Sequence, residues 1–446
     1  MTETDTETRT IRRVAVLGSG TMGAQIAALV AERGVDCDLF DLTTEMVEDA
    51  KKRLRSMRPR AVDDKAVLER IRSASLIDDL EHLAYADWVV EAIVERPDPK
   101  FELWRRAAKH VRGDSLLSTN TSGIPIARIA ETLPQDLRGQ FMGTHFFNPP
   151  RYLKLLEIIP AKETMPKAVE AIREFSEGVL GKSVVMARDV PGFITNRIGC
   201  FYFLAALRAA DELGLSPDEA DAVSGPLMGR SNSATYRTID LVGVDILLDI
   251  CDNTRAAVSS LAEKRAFDPP EYLREMRRRN WLGNKSGQGF YKRERIEGKS
   301  RVATLNTRQM RYVERNAGIS SLASLKNIYD TGERMRRLID LEDRAGRFSW
   351  RALSQLLAFS ASKVGEVADD IVSIDRAMRW GFNWEMGPFE TWDALGVTKT
   401  VERMRGDNIS VPEWIQYIAG TGGSFYQIED GTSTYATPSG EYAEFS

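Results

Sequence analysis

The sequence predicts an α/β domain with a doubly wound parallel sheet over residues 11–189, followed by two all-α domains. Short apolar strands alternate with amphipathic helices up to residue 189, which is typical of a parallel sheet covered by helices. Pro191-Gly192 then breaks the chain before a long amphipathic helix. Residues 218–245 are similar to residues 374–397, which indicates a duplicated helical domain.

Composition is that of a globular protein and excludes several classes. The 61 basic and 65 acidic residues leave a net charge of -4, so no long-range field favours nucleic acid or an anionic membrane. The 3 cysteines have no CxxC spacing, and we expect neither a disulfide framework nor a metal site. No apolar run reaches the about 20 residues of a membrane span. Residues 1–10 are polar and acidic, so we expect a frayed tail. They are unlike a secretory or mitochondrial presequence, so we expect a soluble, cytoplasmic protein.

The first strand, turn and helix follow one another directly. The apolar run from Arg13 to Leu17 leads into Gly18-Ser-Gly-Thr-Met-Gly23, and a helical pattern then continues to Gly34. The next strand, from Asp36 to Phe40, ends in Asp41. This order predicts a βαβ unit that binds a dinucleotide, and a glycine-rich turn that only caps a helix is the alternative.

Each part of the turn has a physical reason. Gly18 permits a sharp turn, Gly20 lets backbone amides approach a pyrophosphate, and Gly23 lets the helix pack on the strand. The positive end of the helix dipole then faces the phosphates. Asp41 can accept hydrogen bonds from ribose hydroxyls and repels a 2′-phosphate, which favours NAD over NADP.

Polar residues follow several predicted strands. Residues 87–96 form a buried strand closed by Glu91 and Glu95, and the apolar run in 115–125 ends in small polar residues. Ligands of open α/β sheets bind at the carboxyl ends of strands, so both segments are candidate edges of a site. Residues 51–60 contain six basic side chains, which indicates either a solvated helix face or a cradle for a phosphate-bearing substrate.

His145 differs from the other histidines because it lies between an apolar strand end and a Pro-Pro turn. A lone histidine among aromatic residues is usually structural. Glu157, however, falls inside the apolar run KLLEII, where a carboxylate needs a partner. A histidine–carboxylate pair fixes the imidazole tautomer and makes it a better general base, so the two residues are a candidate catalytic pair.

The motifs taken together resemble one family. GSGTMG with Asp41, VVEAIVE, STNTS, HFFNPP with KLLEII, PGFITNR and KSGQGFY occur in this order across nearly the whole chain. The sequence is similar to the 3-hydroxyacyl-CoA dehydrogenases of fatty-acid β-oxidation. The resemblance implies a Rossmann-type domain and NAD-dependent oxidation of L-3-hydroxyacyl-CoA to 3-oxoacyl-CoA.

The resemblance also implies residue roles. It makes His145 the general base and Glu157 the group that orients and polarises it, while Ser122 and Asn196 hydrogen-bond the substrate. The implied cofactor contacts are Gly18, Gly20, Thr21, Met22, Gly23, Asp41, Glu95, Lys100, Asn120, Ser122 and Asn148. In the family the CoA nucleotide lies near the helix after the second strand, which implies substrate contacts for Lys51, Lys52 and Arg55.

The second half of the chain repeats itself. Asp221 corresponds to Asp375, and Asp240 corresponds to Asp393. The predicted division is a tail (1–10), an NAD-binding domain (11–189), a first helical domain (190–293), a linker (294–330), a second helical repeat (331–430) and a tail (431–446). The second copy has no PGFITNR equivalent, so we expect it to do no chemistry and to replace the dimer packing of simpler family members.

One departure concerns the stretch GPLMGRSNSATYRTIDLVG. It resembles a bifunctional, long-chain subgroup of multifunctional β-oxidation proteins in which a crotonase-fold hydratase follows the second repeat, whereas this sequence stops at Ser446. A stand-alone dehydrogenase and a truncated piece both remain open, as does partnership as a homodimer or with a separate enoyl-CoA hydratase or thiolase. The alternative functions are a dehydrogenase of a small, CoA-free hydroxy acid and a non-catalytic scaffold subunit.

Overall fold

The computed structural model describes residues 10–296, 299–315 and 318–445. The chain divides into two compact units between Phe193 and Ile194. The first unit is an α/β domain and the second is mainly helical, so the predicted order of a doubly wound domain followed by helices is confirmed.

Eight strands form one sheet in the first unit. They are β1 (Arg13–Leu17), β2 (Asp36–Asp41), β3 (Ile71–Ser75), β4 (Trp88–Glu91), β5 (Leu116–Thr119), β6 (Phe141–Phe146), β7 (Leu155–Pro160) and β8 (Ser183–Met186). The spatial order is β3-β2-β1-β4-β5-β6-β7-β8, with β6 and β7 antiparallel and all other neighbours parallel. The strand order reverses beside β1, and ligands of doubly wound sheets bind at such a point.

Helices cover this sheet. They are α1 (Thr21–Glu32), α2 (Thr44–Ser56), α3 (Pro97–Ala107), α4 (Ile126–Ala130), α5 (Gln135–Arg138) and α6 (Pro166–Gly178). The inner strands β4 and β5 are buried along their whole length, as apolar strands with helices on both faces must be. Thr43 caps α2 by accepting a hydrogen bond from Met46 N–H.

Twelve α-helices lie in the described part of the second unit. They are α7 (Thr195–Leu213), α8 (Pro217–Ser224), α9 (Tyr236–Val242), α10 (Val244–Ala257), α11 (Leu261–Ala266), α12 (Glu271–Arg278), α13 (Thr331–Ile339), α14 (Arg344–Lys363), α15 (Ile371–Phe382), α16 (Pro388–Leu395), α17 (Val397–Gly406) and α18 (Glu413–Gly420).

Helices α7 and α14 pack against each other in antiparallel orientation. Phe201 stacks on Phe359 with ring centroids 3.8 Å apart. Further along α7, Glu212 pairs with Arg351, which lies closer to the start of α14. Residues later in α7 therefore contact residues earlier in α14, as antiparallel helices do. Aromatic packing between the first half of α7 and the last turns of α14 therefore joins the two repeats.

The two repeats share a hydrogen-bond pattern. Tyr291 donates its hydroxyl to Asp221 at 2.7 Å in the first repeat. Tyr426 donates its hydroxyl to Asp375 at 2.8 Å in the second. Both aspartates also accept backbone N–H groups at the start of a following helix, so each of these buried carboxylates is well supplied with donors.

A second carboxylate in each repeat shows the same correspondence. Asp240 accepts the backbone N–H groups of Phe290-Tyr291 at 2.8 and 2.9 Å. Asp393 accepts those of Phe425-Tyr426 at 2.7 and 2.9 Å. The equivalence of the aspartates, inferred from sequence, therefore extends to their partners.

Each repeat also carries a three-stranded antiparallel sheet, which the prediction of all-α domains omitted. The first sheet contains β9 (Tyr291–Ile296), β10 (Lys299–Asn306) and β11 (Arg311–Val313), and the second contains β12 (Tyr426–Glu429), β13 (Thr432–Ala436) and β14 (Tyr442–Glu444). Strands therefore occupy parts of 294–330 and 431–446, the predicted linker and tail. Asp430-Gly431, with φ of 49° and 83°, forms the turn between β12 and β13, a hairpin signal that sequence reasoning overlooked.

The three cysteines lie in the interior of the protein. Cys37, Cys200 and Cys251 are buried, free thiols. None of the helices in the described ranges has the length and apolar character needed to cross a membrane.

Candidate active site

The turn between β1 and α1 is built for close backbone approach. Gly18 has φ of 109°, and a Cβ on it would lie 2.7 Å from the carbonyl oxygen of Ala92. A Cβ on Gly23 would lie 1.9 Å from the oxygen of Gly18. A Cβ on Gly20 would meet nothing within 4 Å, and Gly20 is the N-cap of α1. Gly18 and Gly23 therefore make the turn compact, while Gly20 leaves its outer face open beside the positive end of α1.

A cavity of about 710 Å³ opens beside this turn. It lies at the carboxyl ends of β1, β2, β4 and β5, where the fold class places ligands. Of the predicted cofactor residues, those that line it are Gly18, Gly20, Thr21, Met22, Asp41, Glu95, Asn120 and Ser122. Its volume is within the range of ligand cavities, so an open turn, a helix N-terminus and a terminal carboxylate fit an NAD molecule here.

Asp41 stands at the rim of this cavity. Its Oδ2 accepts the N–H of Ser19 at 2.8 Å, and its Oδ1 accepts the N–H of Leu42 at 2.8 Å. Arg53 of α2 donates to the carbonyl oxygen of the same Ser19 at 3.0 Å. A cation therefore contacts the glycine turn at the residue that Asp41 also binds. Sequence analysis noted the basic segment but did not single out Arg53.

His145 and Glu157 form a buried pair. They face each other across the antiparallel strands β6 and β7, whose register places His145 opposite Glu157. His145 Nδ1 and Glu157 Oε2 lie 2.7 Å apart, and both side chains are almost inaccessible to solvent. A carboxylate only accepts hydrogen bonds, so Nδ1 carries the proton and the lone pair of Nε2 is available as an acceptor.

Ser122 connects this pair to the cofactor cavity. Its Oγ lies 3.1 Å from His145 Nε2, and Ser122 also lines the cavity. Phe147 and Phe193 pack on the imidazole with ring centroids at 4.4 and 5.6 Å. Apolar rings on the imidazole strengthen its polar contacts by excluding water. The predicted catalytic residues of the first unit therefore converge on one imidazole.

Lys100 lies beneath the cavity and does not line it. It is 1% exposed, and its Nζ is 2.6 Å from Glu91 Oε1 and 3.3 Å from Glu95 Oε2. Glu91 is fully buried and also accepts the hydroxyl of Thr119 at 2.6 Å. The ammonium therefore compensates two carboxylates at the end of β4, and the direct cofactor contact that the resemblance implies for Lys100 stays a prediction.

Glu95 holds the loop that carries Ser122. Its Oε1 accepts the hydroxyl of Thr121 at 2.6 Å and the N–H groups of Ser122 and Gly123 at 2.8 and 3.2 Å. Because Lys100 binds the other oxygen of Glu95, the buried ammonium indirectly fixes the position of Ser122.

The two predicted asparagines of the first unit have different positions. Asn120 accepts the backbone N–H of Phe146 at 2.8 Å and so joins the end of β5 to the strand of the histidine. Asn148 accepts from Gln25 Nε2 at 3.0 Å, and the same amide group donates to Thr21 O at 2.9 Å. Gln25, which no sequence signal identified, thereby ties Asn148 to the first turn of α1.

A buried lysine supports the loop after Asn148. Lys182 is 6% exposed, and its Nζ donates to the carbonyl oxygens of Pro150 and of Leu153, the latter at 2.8 Å. Burial, with Arg33 nearby, lowers the pKa of Lys182 to about 8. Sequence reasoning missed this residue because its partners, the carbonyl groups of Pro150 and Leu153, are distant in the sequence.

The basic segment does not act as one group. Lys51 is buried, and its ammonium binds Glu48 and the carbonyl oxygen of Ile71, each at 3.1 Å. Lys52 pairs with Asp49 on the exposed face of α2. Arg55 lines a separate cavity of about 350 Å³ together with Arg58, Arg60 and Lys65. Arg55 therefore lines a basic cavity that is open to solvent, whereas the buried ammonium of Lys51 contacts groups of its own domain.

Asn196 belongs to the second unit, where it lies in the first turn of α7. The resemblance implies its contact with substrate because Asn196 belongs to the PGFITNR motif, and this contact stays a prediction.

Comparisons with known proteins show which family the two units resemble. Residues 13–190 match the family model described as 3-hydroxyacyl-CoA dehydrogenase, NAD binding domain, and residues 192–293 match that of the C-terminal domain. A Bacillus subtilis protein named "Probable 3-hydroxyacyl-CoA dehydrogenase" is 38% identical over 97% of this chain, which spans 57% of that relative's length. A Deinococcus radiodurans protein of the same name is 40% identical and is covered to 84%, by 64% of this chain.

A solved structure extends the likeness to both repeats. The crystal structure of 3-hydroxybutyryl-CoA dehydrogenase from Escherichia coli K12 has a TM-score of 0.70 and 24% identity, and the match covers 93% of this chain and 99% of that one. At this identity the match shows a shared fold. Together with the family models, these similarities confirm the predicted NAD-binding domain. The chain belongs to the 3-hydroxyacyl-CoA dehydrogenase family.

Proposed function

We propose that the chain catalyses the reversible, NAD-dependent oxidation of an L-3-hydroxyacyl-CoA to a 3-oxoacyl-CoA. The observation that carries this proposal is the position of Ser122, which lines the dinucleotide cavity and lies 3.1 Å from Nε2 of the histidine–carboxylate pair. One residue therefore joins the place for a hydride acceptor to a general base, the two groups that oxidation of a secondary alcohol requires.

The base works through the lone pair on His145 Nε2, which in the absence of substrate can accept a hydrogen bond from Ser122 Oγ. This nitrogen removes the proton of the substrate hydroxyl, and Ser122 donates a hydrogen bond to the substrate oxygen. Glu157, 2.7 Å from Nδ1, stabilises the positive charge that the imidazole acquires. Base catalysis of this kind contributes about 10²- to 10⁴-fold in rate.

The chain's own residues would hold NAD in the cavity beside β1. Gly20 and the first N–H groups of α1 would bind the pyrophosphate, and Asp41 would bind the adenosine ribose. When bound, NAD accepts the hydride from C3 of the substrate. Glu95 and Asn120 keep Ser122 and the histidine strand at the edge of the same cavity.

The substrate has a CoA portion that carries phosphates and an acyl portion, and different residues of the chain would bind each. Arg55, Arg58, Arg60 and Lys65 line one basic cavity after α2, which suits a nucleotide phosphate. Asn196, in the first turn of α7, would hydrogen-bond the acyl portion, as the family motif implies.

The assay that tests the proposal uses acetoacetyl-CoA and NADH with the full chain. We expect loss of NADH absorbance with the wild type and a decrease of about 10²- to 10⁴-fold in kcat with His145→Gln. Binding of NADH, followed by its fluorescence, should stay unchanged in His145→Gln. Turnover of acetoacetate without CoA at a comparable kcat/KM would instead support a small hydroxy-acid dehydrogenase, and absence of any turnover would support a scaffold.

Partnership and location are proposals of the same kind. We infer a cytoplasmic protein that acts on CoA thioesters as a homodimer or beside a separate enoyl-CoA hydratase or thiolase. Light scattering on the purified protein, alone and mixed with a hydratase or thiolase, measures the association state directly.

A further inference from the structure

Four charged side chains meet where α7 begins. Arg197, in the first turn of α7, has a side chain that is 1% exposed. Its Nε donates to Glu263 at 2.8 Å, and its Nη2 donates to Glu366 at 2.8 Å. Lys363 completes the group, which we call the charge cluster (Arg197, Glu263, Lys363 and Glu366).

The cluster is electrically neutral and internally bonded. The ammonium of Lys363 lies 2.7 Å from Glu366 Oε2 and 3.2 Å from Glu263 Oε2. Each carboxylate therefore contacts both cations. Removing one partner from such a buried set leaves an uncompensated charge, so the cluster holds its members in a defined arrangement only when it is complete.

The two repeats contribute equally to the cluster. Arg197 and Glu263 lie in the first repeat, on α7 and α11. Lys363 is the last residue of α14, and Glu366 lies in the turn that follows, where its N–H donates to Lys363 O at 3.0 Å. The repeat without a PGFITNR motif therefore supplies half of the charges around the first turn of α7.

Arg197 directly follows Asn196, which the proposed function assigns to the substrate. We propose that Lys363 and Glu366 of the second repeat are positioning residues, which hold the first turn of α7 through Arg197 and so set the contact of Asn196 with the acyl-CoA. The inference rests on the proposed function. It gives the second repeat a part in the reaction although it does no chemistry.

The opposite end of the same helix pair provides a matched control. Arg351 of α14 pairs with Glu212 of α7, and their side chains are 48% and 61% exposed. This pair joins the same two helices but lies about 22 Å along α7 from Arg197. Its loss should therefore weaken the helix contact slightly without disturbing the first turn.

The experiment compares four variants of the full chain with acetoacetyl-CoA and NADH. For Lys363→Met and Glu366→Gln we expect KM for acetoacetyl-CoA to rise, and kcat to fall, by roughly five- to tenfold each. The KM for NADH should not change. Arg351→Gln should behave as the wild type, and Lys363→Arg, which keeps the charge, should recover most of the loss.

A second readout separates positioning from general stability and does not need turnover. Hydrogen–deuterium exchange of the amides of 196–199 should become about tenfold faster in Lys363→Met and Glu366→Gln, but not in Arg351→Gln. Glu366 is 40% exposed, so Glu366→Gln should remain folded even where Lys363→Met does not.

The outcomes are distinguishable. If the wild type turns over acetoacetyl-CoA but both cluster variants keep wild-type KM, kcat and exchange, the positioning role is wrong. If the wild type lacks turnover, the proposed function fails, and unchanged exchange would then refute the positioning of the first turn separately. Equal effects in Arg351→Gln would also overturn the inference, because they would show a general weakening of the helix pair.

Discussion

Ser122 Oγ lies 3.1 Å from His145 Nε2, the ring nitrogen that the Glu157 carboxylate leaves unprotonated. The hydroxyl therefore lies next to the base, within reach of a substrate oxygen that approaches the same ring nitrogen. Backbone and hydroxyl contacts to Glu95 fix the loop around Ser122, so the serine is prearranged for this role.

Replacement of this serine tests its role directly. Ser122→Ala removes one hydrogen bond to the substrate oxygen, which we expect to lower kcat/KM for acetoacetyl-CoA by about ten- to thirtyfold. Affinity for NADH should fall by less than about threefold, since the backbone of the loop remains held by Glu95. Steady-state kinetics and NADH fluorescence titration measure the two effects. A kcat/KM equal to that of the wild type would remove Ser122 from the substrate contacts.

Glu157→Gln tests the tautomer argument. A glutamine amide can donate to Nδ1, which would move the imidazole proton to Nε2 and abolish the base. We expect kcat to fall by roughly 10²- to 10⁴-fold, with NADH affinity unchanged. Glu157→Asp keeps an accepting carboxylate and should retain more activity than Glu157→Gln. The reverse order of the two variants would contradict the assignment.

Asp41 is expected to set the choice between NAD and NADP. Asp41→Ala removes the charge that repels a 2′-phosphate and leaves Arg53 beside the turn, so the NAD/NADP ratio of kcat/KM should fall by about tenfold or more. The control is Asp41→Ala combined with Arg53→Gln, in which the gain for NADP should disappear. An unchanged ratio in Asp41→Ala would show that the carboxylate does not meet the ribose.

Lys100 distinguishes support from cofactor contact. Lys100→Met leaves Glu91 and Glu95 uncompensated, and we expect the free energy of unfolding to fall by about 3–5 kcal/mol, together with kcat. Lys52→Met, which breaks the exposed pair with Asp49, should leave the free energy of unfolding almost unchanged. Denaturant titrations measure both. A weaker affinity of Lys100→Met for NADH at unchanged stability would instead support a direct contact of Lys100 with the cofactor.

The lowered pKa of Lys182, about 8, makes its contribution dependent on pH. Between pH 8 and the ordinary lysine value of about 10.4, the unfolded chain binds a proton that the folded chain has lost, so stability due to Lys182 rises with pH there. The unfolding free energy of the wild type, measured relative to that of Lys182→Met, should therefore increase from pH 7.5 to pH 9.5, about the range in which the folded lysine titrates. Lys167→Met, at an exposed position, controls for the loss of one positive charge. A constant difference would mean that Lys182 stays charged throughout.

The sequence predicted the elements whose pattern is local. Arg13–Leu17 and its glycine turn were identifiable because a buried strand, a left-handed glycine and a helix N-terminus leave signals within a few residues. The pairing of His145 with Glu157 was inferred because an apolar strand cannot hold a lone carboxylate. The structure adds that strand register places the two side chains opposite each other.

Other features depend on contacts between distant residues. The sequence pattern indicates surface or ligand-binding cations at Lys51 and Lys100. In the structure both ammonium groups are buried, and each contacts a residue of another element. The strands within 294–330 were missed because their polar, one-sided pattern resembles a solvated linker. Glu366 gave no signal because its partner Arg197 lies 169 residues away in the sequence. Lys363 gave none because its partner Glu263 lies 100 residues away.

The antiparallel packing of α7 on α14 has a consequence for how the protein responds to concentration. Phe201 and Phe359 belong to one polypeptide, so their contact is a unimolecular equilibrium and mass action does not oppose it. An interface between separate subunits would be lost progressively on dilution, and with it the arrangement of the helix that follows the cofactor domain. Here the helix pair keeps the same occupancy at nanomolar and micromolar protein. Specific activity that depends on this contact should therefore be independent of enzyme concentration.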